Sequence, residues 1–146
     1  MSWNAEGLSR WRMCFFAMQL CELQHQQRIF CSFEQPSRRK SWSLDIIQET
    51  CAAIGATTYE VHQCIWGRKD PGNGVPFKKP QGFASNLDLS SLARKCGNSH
   101  DTHQRVLGVV DKGERKGERR SKISGEYPVE FCTAWARLIR NAKTNG

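Results

Sequence analysis

The densest chemistry in the sequence sits in CGNSHDTH, where Cys96, His100 and His103 offer one thiolate and two imidazoles within eight positions. Sulfur and imidazole together suit zinc. A closed structural zinc site is tetrahedral, so a fourth donor must come from elsewhere in the chain, and Cys64 or Cys132 can supply it. Asp101 stands where it could orient an imidazole from behind. The same residues could be read as a Cys-His nucleophilic pair. That chemistry needs a base within reach of the thiol and a stabilised oxyanion, and the sequence defines neither.

A second set of residues has a plainer use. Arg38, Arg39 and Lys40, then Arg68 and Lys69, then Lys78 and Lys79, form short basic clusters in segments that read as loops. Lys and Arg at such positions can neutralise phosphates, and Trp42, Trp66 or Phe77 can stack an unpaired base. Solvated loops also carry such residues without a ligand. Glu34 could act as an acid or meet a base edge, although no paired carboxylate stands near it in the sequence.

The elements that must position these groups follow from periodicity. Leu8, Trp11, Phe15, Met18 and Cys21 recur at helical spacing over residues 8–24, which predicts an amphipathic helix. After QHQQR, Ile29 to Phe33 reads as a short buried strand with Glu34 and Gln35 at its C-terminal edge, closed by Pro36. Ser41 or Ser43 is placed to cap a helix over 44–54, and Gly55 to stop it. Residues 57–64 alternate as a strand.

From Trp66 to Pro80 the chain is rich in Gly, Pro and base and reads as a loop. Residues 82–85 predict a short strand and 88–94 a short helix. Residues 111–124 hold six Lys or Arg against three acids and read as an exposed, flexible basic segment. A final helix spans about 129–142, with Phe131, Ala134, Trp135, Leu138 and Ile139 on its apolar side.

The 146 residues suit a single α/β domain over 1–146. The net charge of +8 favours polyanions. No apolar run reaches the roughly 20 residues that span a bilayer, and no secretory signal is visible, so an intracellular location is expected. Seven Cys are an odd number without a dense short-loop framework, which points to reduced thiols.

Several stretches, in order, resemble the distal part of DNA-methyltransferase-like proteins of viruses and mobile elements. Phe33-Glu34-Gln35-Pro36 with Trp42 resembles their strand leading into E-N-P-x-x-S-x-x-W, and Cys64 with Gly67 their C-x-x-G segment. Lys78-Lys79-Pro80-Gln81-Gly82-Phe83 with Ser85-Asn86 resembles K-K-P-T-x-F-x-T-N. Cys96, His100 and His103 match a Cys and His cluster, and Tyr127-Pro128 with Phe131-Cys132 a terminal Y-P-x-x-L-C helix start. Gln35 stands where the pattern has Asn.

In cytosine-C5 methyltransferases the Glu-Asn element assists the target base, so the resemblance implies that Glu34 would contact a flipped base. An upstream Pro-Cys pair and a glycine-rich S-adenosylmethionine loop do not precede the strand here. The resemblance therefore implies a partial layered sheet-and-helix fold, the distal half of such a domain, recruited to another role or completed by another chain.

The expectation is a noncatalytic basic α/β module that contacts DNA or RNA, within a larger ribonucleoprotein or protein assembly. A methyltransferase-like subunit with Glu34 as its catalytic acid is the alternative, and a structural scaffold subunit meeting its partners through the first helix is the third reading.

Overall fold

Three short strands need a layer of side chains packed against them, and a helix supplies it on one face. The computed structural model describes residues 5–97 and 102–144. Helix α1 (Ala5–Gln26) leads to β1 (Ser32–Pro36), a 3-10 turn (Lys40–Ser43), α2 (Asp45–Ala53) and β2 (Thr57–His62). A second 3-10 turn (Gln63–Trp66) and a long loop lead to β3 (Pro80–Ser85). After an irregular stretch come the single turn α3 (Arg120–Ile123) and α4 (Val129–Thr144). The protein is a small mixed α/β domain.

The sheet is open and has the order β1-β3-β2. β3 runs antiparallel to both neighbours, with Glu34 and Tyr59 opposite Phe83, and Gln35 and Glu60 opposite Gly82. Opposite residues share a face. One face therefore carries Glu34, Phe83, Tyr59, Gln81 and Val61, and the other Phe33, Gln35, Gly82, Ala84, Thr58 and Glu60.

Helix α4 covers the first face. Phe83 is fully buried against Phe131 and Trp135, with ring centroids 5.8 and 5.2 Å away. Val61, Trp66, Leu87, Leu89 and Leu92 complete this core, and Tyr127, Ala134, Leu138 and Ala142 close its edge. The apolar side of α4 is as the spacing predicts, except that Ile139 faces outward and Ala142 takes the next inward position. Leu89 and Leu92 are buried without a helix over 88–94: turn bonds at Leu92 and Ala93 tuck both side chains inward.

Helix α1 packs along α2. Its buried positions are Met18 and Cys21, whereas Trp11 and Phe15 are exposed, so the inward face is rotated from the predicted stripe. α2 starts without a serine cap. Leu44 occupies the cap position, while Ser43 Oγ donates to the Lys40 carbonyl and Ser41 Oγ to Gln35 Oε1. Gly55, at φ +66°, ends α2 as expected, in the left-handed conformation glycine adopts without strain.

β1 begins three residues later than the sequence suggests. Ile29 and Phe30 are exposed, because the chain joins the sheet only after Cys31, whose N–H donates to Asn86 Oδ1 at 2.8 Å. Glu34 consequently lies in the middle of the strand instead of at its end. The expectation of reduced thiols also fails at this corner. Cys21 and Cys31, with Cα atoms 5.4 Å apart, form a disulfide that joins α1 to the start of β1.

The segment 111–124 is less exposed than its composition suggests, since Arg120, Ile123 and Ser124 are buried. Arg120 bonds both Asp70 and Asp111, and Ile123 packs with Phe77 and Val110 in a second small core. Burial works against the Asp70 carboxylate, yet the Arg120 guanidinium and the Gly72 and Asn73 amides hold its pKa below the usual range. This pair ties the 66–80 loop to the 111–124 segment.

Candidate metal centre and the basic end of the sheet

The strand register gathers what the sequence scatters. Pro36 stands opposite Gln81 and His62 opposite Pro80, so the C-terminal ends of β1 and β2 and the N-terminal end of β3 share one end of the sheet. Segments 37–40, 63–69 and 78–79 all continue from that end.

Cys64 sits on the turn that follows β2. The 94–96 segment is fastened beside it twice, by the His62 N–H to the Arg94 carbonyl at 3.0 Å and by the Cys96 N–H to His62 Nδ1 at 3.0 Å. His103 is brought in by its neighbour Gln104, which bridges to Phe77 and accepts the Lys78 N–H at 2.9 Å. The outcome is a cluster of Cys64, Cys96 and His103, all half-buried, whose ligand atoms lie within 4.8 Å of one another.

The Cys96–His103 spacing is close to that of two donors on one cation. A tetrahedral zinc with Zn–S near 2.3 Å and Zn–N near 2.0 Å places a sulfur and a nitrogen donor about 3.5 Å apart and two sulfurs about 3.8 Å apart. Cys96 Sγ stands 3.7 Å from His103 Nε2. Burial and the adjacent Cys96 push the Cys64 thiol up to about 11, so a cation must displace its proton to bind there. Two neighbouring thiols resist ionising together, and a divalent cation between them removes that penalty.

A supporting contact lies behind the cluster. Because His62 Nδ1 accepts the Cys96 N–H, its Nε2 carries the proton and donates to Glu60 Oε1 at 3.0 Å. That bond holds the Glu60 carboxyl below its ordinary pKa, against a smaller opposing effect of burial. The Glu60–His62–Cys96 chain positions the loop that presents Cys96, the arrangement by which outer residues orient metal ligands. Nothing in the alternation of residues 57–64 marks His62 for this role beyond its standing two positions before Cys64.

Of the other expected ligands, Cys132 is exposed on α4 and outside the cluster, and His100 and Asp101 lie outside the described residues.

The basic residues divide. Arg38, Arg39, Lys40, Lys69 and Lys78 are exposed at the shared end. Arg68 is half-buried and pairs with Glu126 at 3.2 Å, and Arg115 joins the same carboxylate at 2.7 Å. Lys79 is half-buried, donates to the Ser124 carbonyl at 2.7 Å, and has its pKa lowered by burial. Arg68 and Lys79 therefore work partly as internal ties. Of the three aromatic residues read as stacking platforms, Trp66 and Phe77 are buried and Trp42 alone is half-exposed.

Glu34 faces α4. Its Oε1 accepts from Gln81 Nε2 at 2.8 Å, and the same Gln81 nitrogen donates to Tyr127 Oη at 3.2 Å. Burial, with the Glu34 charge second, raises the Tyr127 pKa. Glu34 is thus engaged in a polar network under α4.

No helix among the described residues is long and apolar enough to cross a membrane. No protein-family model matches the chain, and neither a curated protein nor a solved structure gives a significant match.

Proposed function

We propose that the protein is a noncatalytic α/β module, with Cys64, Cys96 and His103 as three of the four donors of a zinc staple, whose basic sheet end contacts nucleic acid. The observation that carries this reading is the convergence of three basic segments, distant in sequence, on the end of the sheet that also holds Cys64, Cys96 and His103. Zinc would pin the 64–69 turn, the 94–97 segment and the 103–104 segment to one another. Exposed Arg38, Arg39, Lys40, Lys69 and Lys78 then present positive charge from a fixed frame to successive phosphates.

An enzymatic role for Glu34 is less well supported, because its carboxylate is committed to Gln81 beneath α4. The methyltransferase-like resemblance rests on the motifs alone, and the open antiparallel sheet matches it only as far as a small mixed α/β domain.

The test is a salt series of binding to single-stranded and duplex oligonucleotides, read by fluorescence anisotropy on zinc-loaded protein. Replacing exposed Lys78 by Ala is expected to reduce the slope of log affinity against log salt by about 0.7–0.9, as expected for one lost phosphate contact. Lys79→Ala should change the slope less, because its ammonium is tied to Ser124. Affinity that is absent, or unchanged across the salt series, defeats the reading.

One observation favours a scaffold role as a second reading. Helix α1 leaves Met13 and Phe16 exposed at 73% and 66%, followed by Leu20 and Leu23, also exposed. Their 3-4-3 spacing is that of a coiled-coil seam. The scaffold reading assigns this seam to α1 of a second copy. It expects a dimer by sedimentation that Phe16→Glu converts to monomer, and a wild-type monomer would exclude it.

A further inference from the structure

The sheet face opposite α4 carries a depression whose wall includes Glu60, the carboxylate that also holds His62 behind the metal cluster. Gly82, on the central strand, has no side chain, and the Trp42 indole lies over it: a Cβ at Gly82 would stand 2.7 Å from Trp42 Cζ2. Trp42 is fixed there by Nε1–H donation to the Pro36 carbonyl at 3.0 Å and by an edge-on contact with Phe33 at 5.8 Å. Beside the indole opens a cavity of about 370 Å³, with Thr58 and Gly82 as its floor and Gln48, Glu60, Ser37 and Lys95 around it.

We infer that this cavity holds one unpaired nucleobase, guanine in preference to the others, packed against Trp42 with its hydrogen-bonding edge on Glu60 and Lys95. The inference rests on the nucleic-acid reading above and names the part of the ligand that reading leaves open.

Four observations carry it. The shape suits a flat ring, since the Trp42 indole, seated over Gly82, makes an immobilised aromatic wall beside Thr58. The polar groups are complementary to a base edge. Glu60 accepts and Lys95 donates, and their charged atoms stand 3.9 Å apart, close enough to meet adjacent donor and acceptor positions of a single ring. Guanine offers a carboxylate two neighbouring N–H donors and offers an ammonium the adjacent O6.

Third, the carboxylate is held in place before any ligand arrives. His62 bonds it from behind and is itself fixed by the Cys96 amide, so the metal cluster indirectly braces the recognition group. Fourth, the site has the right neighbours. Trp42 lies in the turn that begins at Lys40, directly after Arg38 and Arg39, so a strand whose phosphates rest on those residues delivers a base to the indole.

The experiment compares two oligothymidines in anisotropy titrations, one with a single central guanosine and one with an abasic site there. Wild-type protein is expected to bind the guanosine strand about tenfold or more tightly than the abasic strand, the range of a single stacked base. Trp42→Ala and Glu60→Gln should each bring the two affinities together. Because Trp42 also packs on the sheet, Glu60→Gln is the variant that decides if Trp42→Ala fails to fold, provided chelator competition shows its zinc affinity unchanged, since Glu60 also holds His62.

Equal wild-type affinity for the two strands overturns the cavity and leaves the basic end standing. If neither strand binds in a salt-dependent way, the basic-end reading falls. The cavity is then decided by titrating guanosine monophosphate while watching the Trp42 indole N–H by NMR. A shift that Glu60→Gln abolishes supports it, and no shift overturns it.

Discussion

The two ends of the three-stranded sheet use cysteine in opposite ways. At the end where β1 begins, Cys21 and Cys31 are buried with Ile54 and joined to each other, and the adjacent hydrogen bonds come from neutral groups, Ser32, Ser85 and Asn86. At the end where β1 finishes, Cys64 and Cys96 stand beside an imidazole, half-buried and braced by a histidine that is held in turn by a carboxylate. A thiol pair in an apolar corner can only close on itself or stay protonated. A thiol pair beside His103 has the donors a metal needs. The difference shows that it is the neighbours brought by the fold, more than the spacing of the cysteines, that assign their chemistry.

If the two ends are independent, their perturbations should separate. The largest expected effect is at the covalent end. Cys31→Ser removes a cross-link closing about ten residues and should cost about 2–3 kcal/mol in urea unfolding, with zinc affinity unchanged. A loss of zinc in that variant would show the ends to be one cooperative unit. Next, His62→Ala, which frees the Cys96 loop, should weaken zinc binding by about 10- to 100-fold in chelator competition. That variant should leave the Cys21–Cys31 disulfide intact by thiol alkylation and mass spectrometry.

A third prediction sharpens the contrast through protons. The Cys64 thiol, pushed up to about 11 by burial and by Cys96, must lose its proton to bind metal. Zinc affinity should therefore rise with pH, by about tenfold per unit from Cys64 alone, while the disulfide end shows no such dependence. A pH-independent affinity would mean that Cys64 is not a ligand.

The smallest effect concerns the rim of the basic end. Arg115, burial notwithstanding, and then Arg68 lower the Glu126 carboxyl to about 2. Its contribution is present above the unfolded carboxylate pKa of about 4.3 and is lost as pH falls through the folded value. The group is exposed, so Glu126→Gln should reduce the loss of stability on acidification only slightly between those limits. Urea melts at several acidic pH values would detect it.

Much of the scaffold was legible because local periodicity reports burial. α4 follows its apolar spacing, a strand forms at 57–62 within the expected 57–64 while Gln63 and Cys64 turn away, and Gly55 follows its need for a left-handed φ. Where reading failed, a distant contact outweighed the local pattern. Ile29 and Phe30 look like strand residues, yet the Cys31 amide is claimed by Asn86, 55 positions away, and pairing starts only at Ser32. The charged 111–124 segment looks solvated, yet Asp70 draws Arg120 inside. α1 is apolar on several sides, so spacing alone could not tell which side α2 would cover.

The sequence by itself determined the donors and the charge. Cys64, Cys96 and His103 are chemically fit for zinc, and the basic clusters are fit for phosphate, wherever the chain places them. Only the tertiary structure decided that Cys64 and not Cys132 joins the cluster, that His62 and Glu60 stand behind it, and that of Trp42, Trp66 and Phe77 only Trp42 stays half-exposed. The physical reason is that ligand and strand contacts join residues far apart in the chain. Their geometry is set by the pairing of β3 between β1 and β2, which no local pattern encodes.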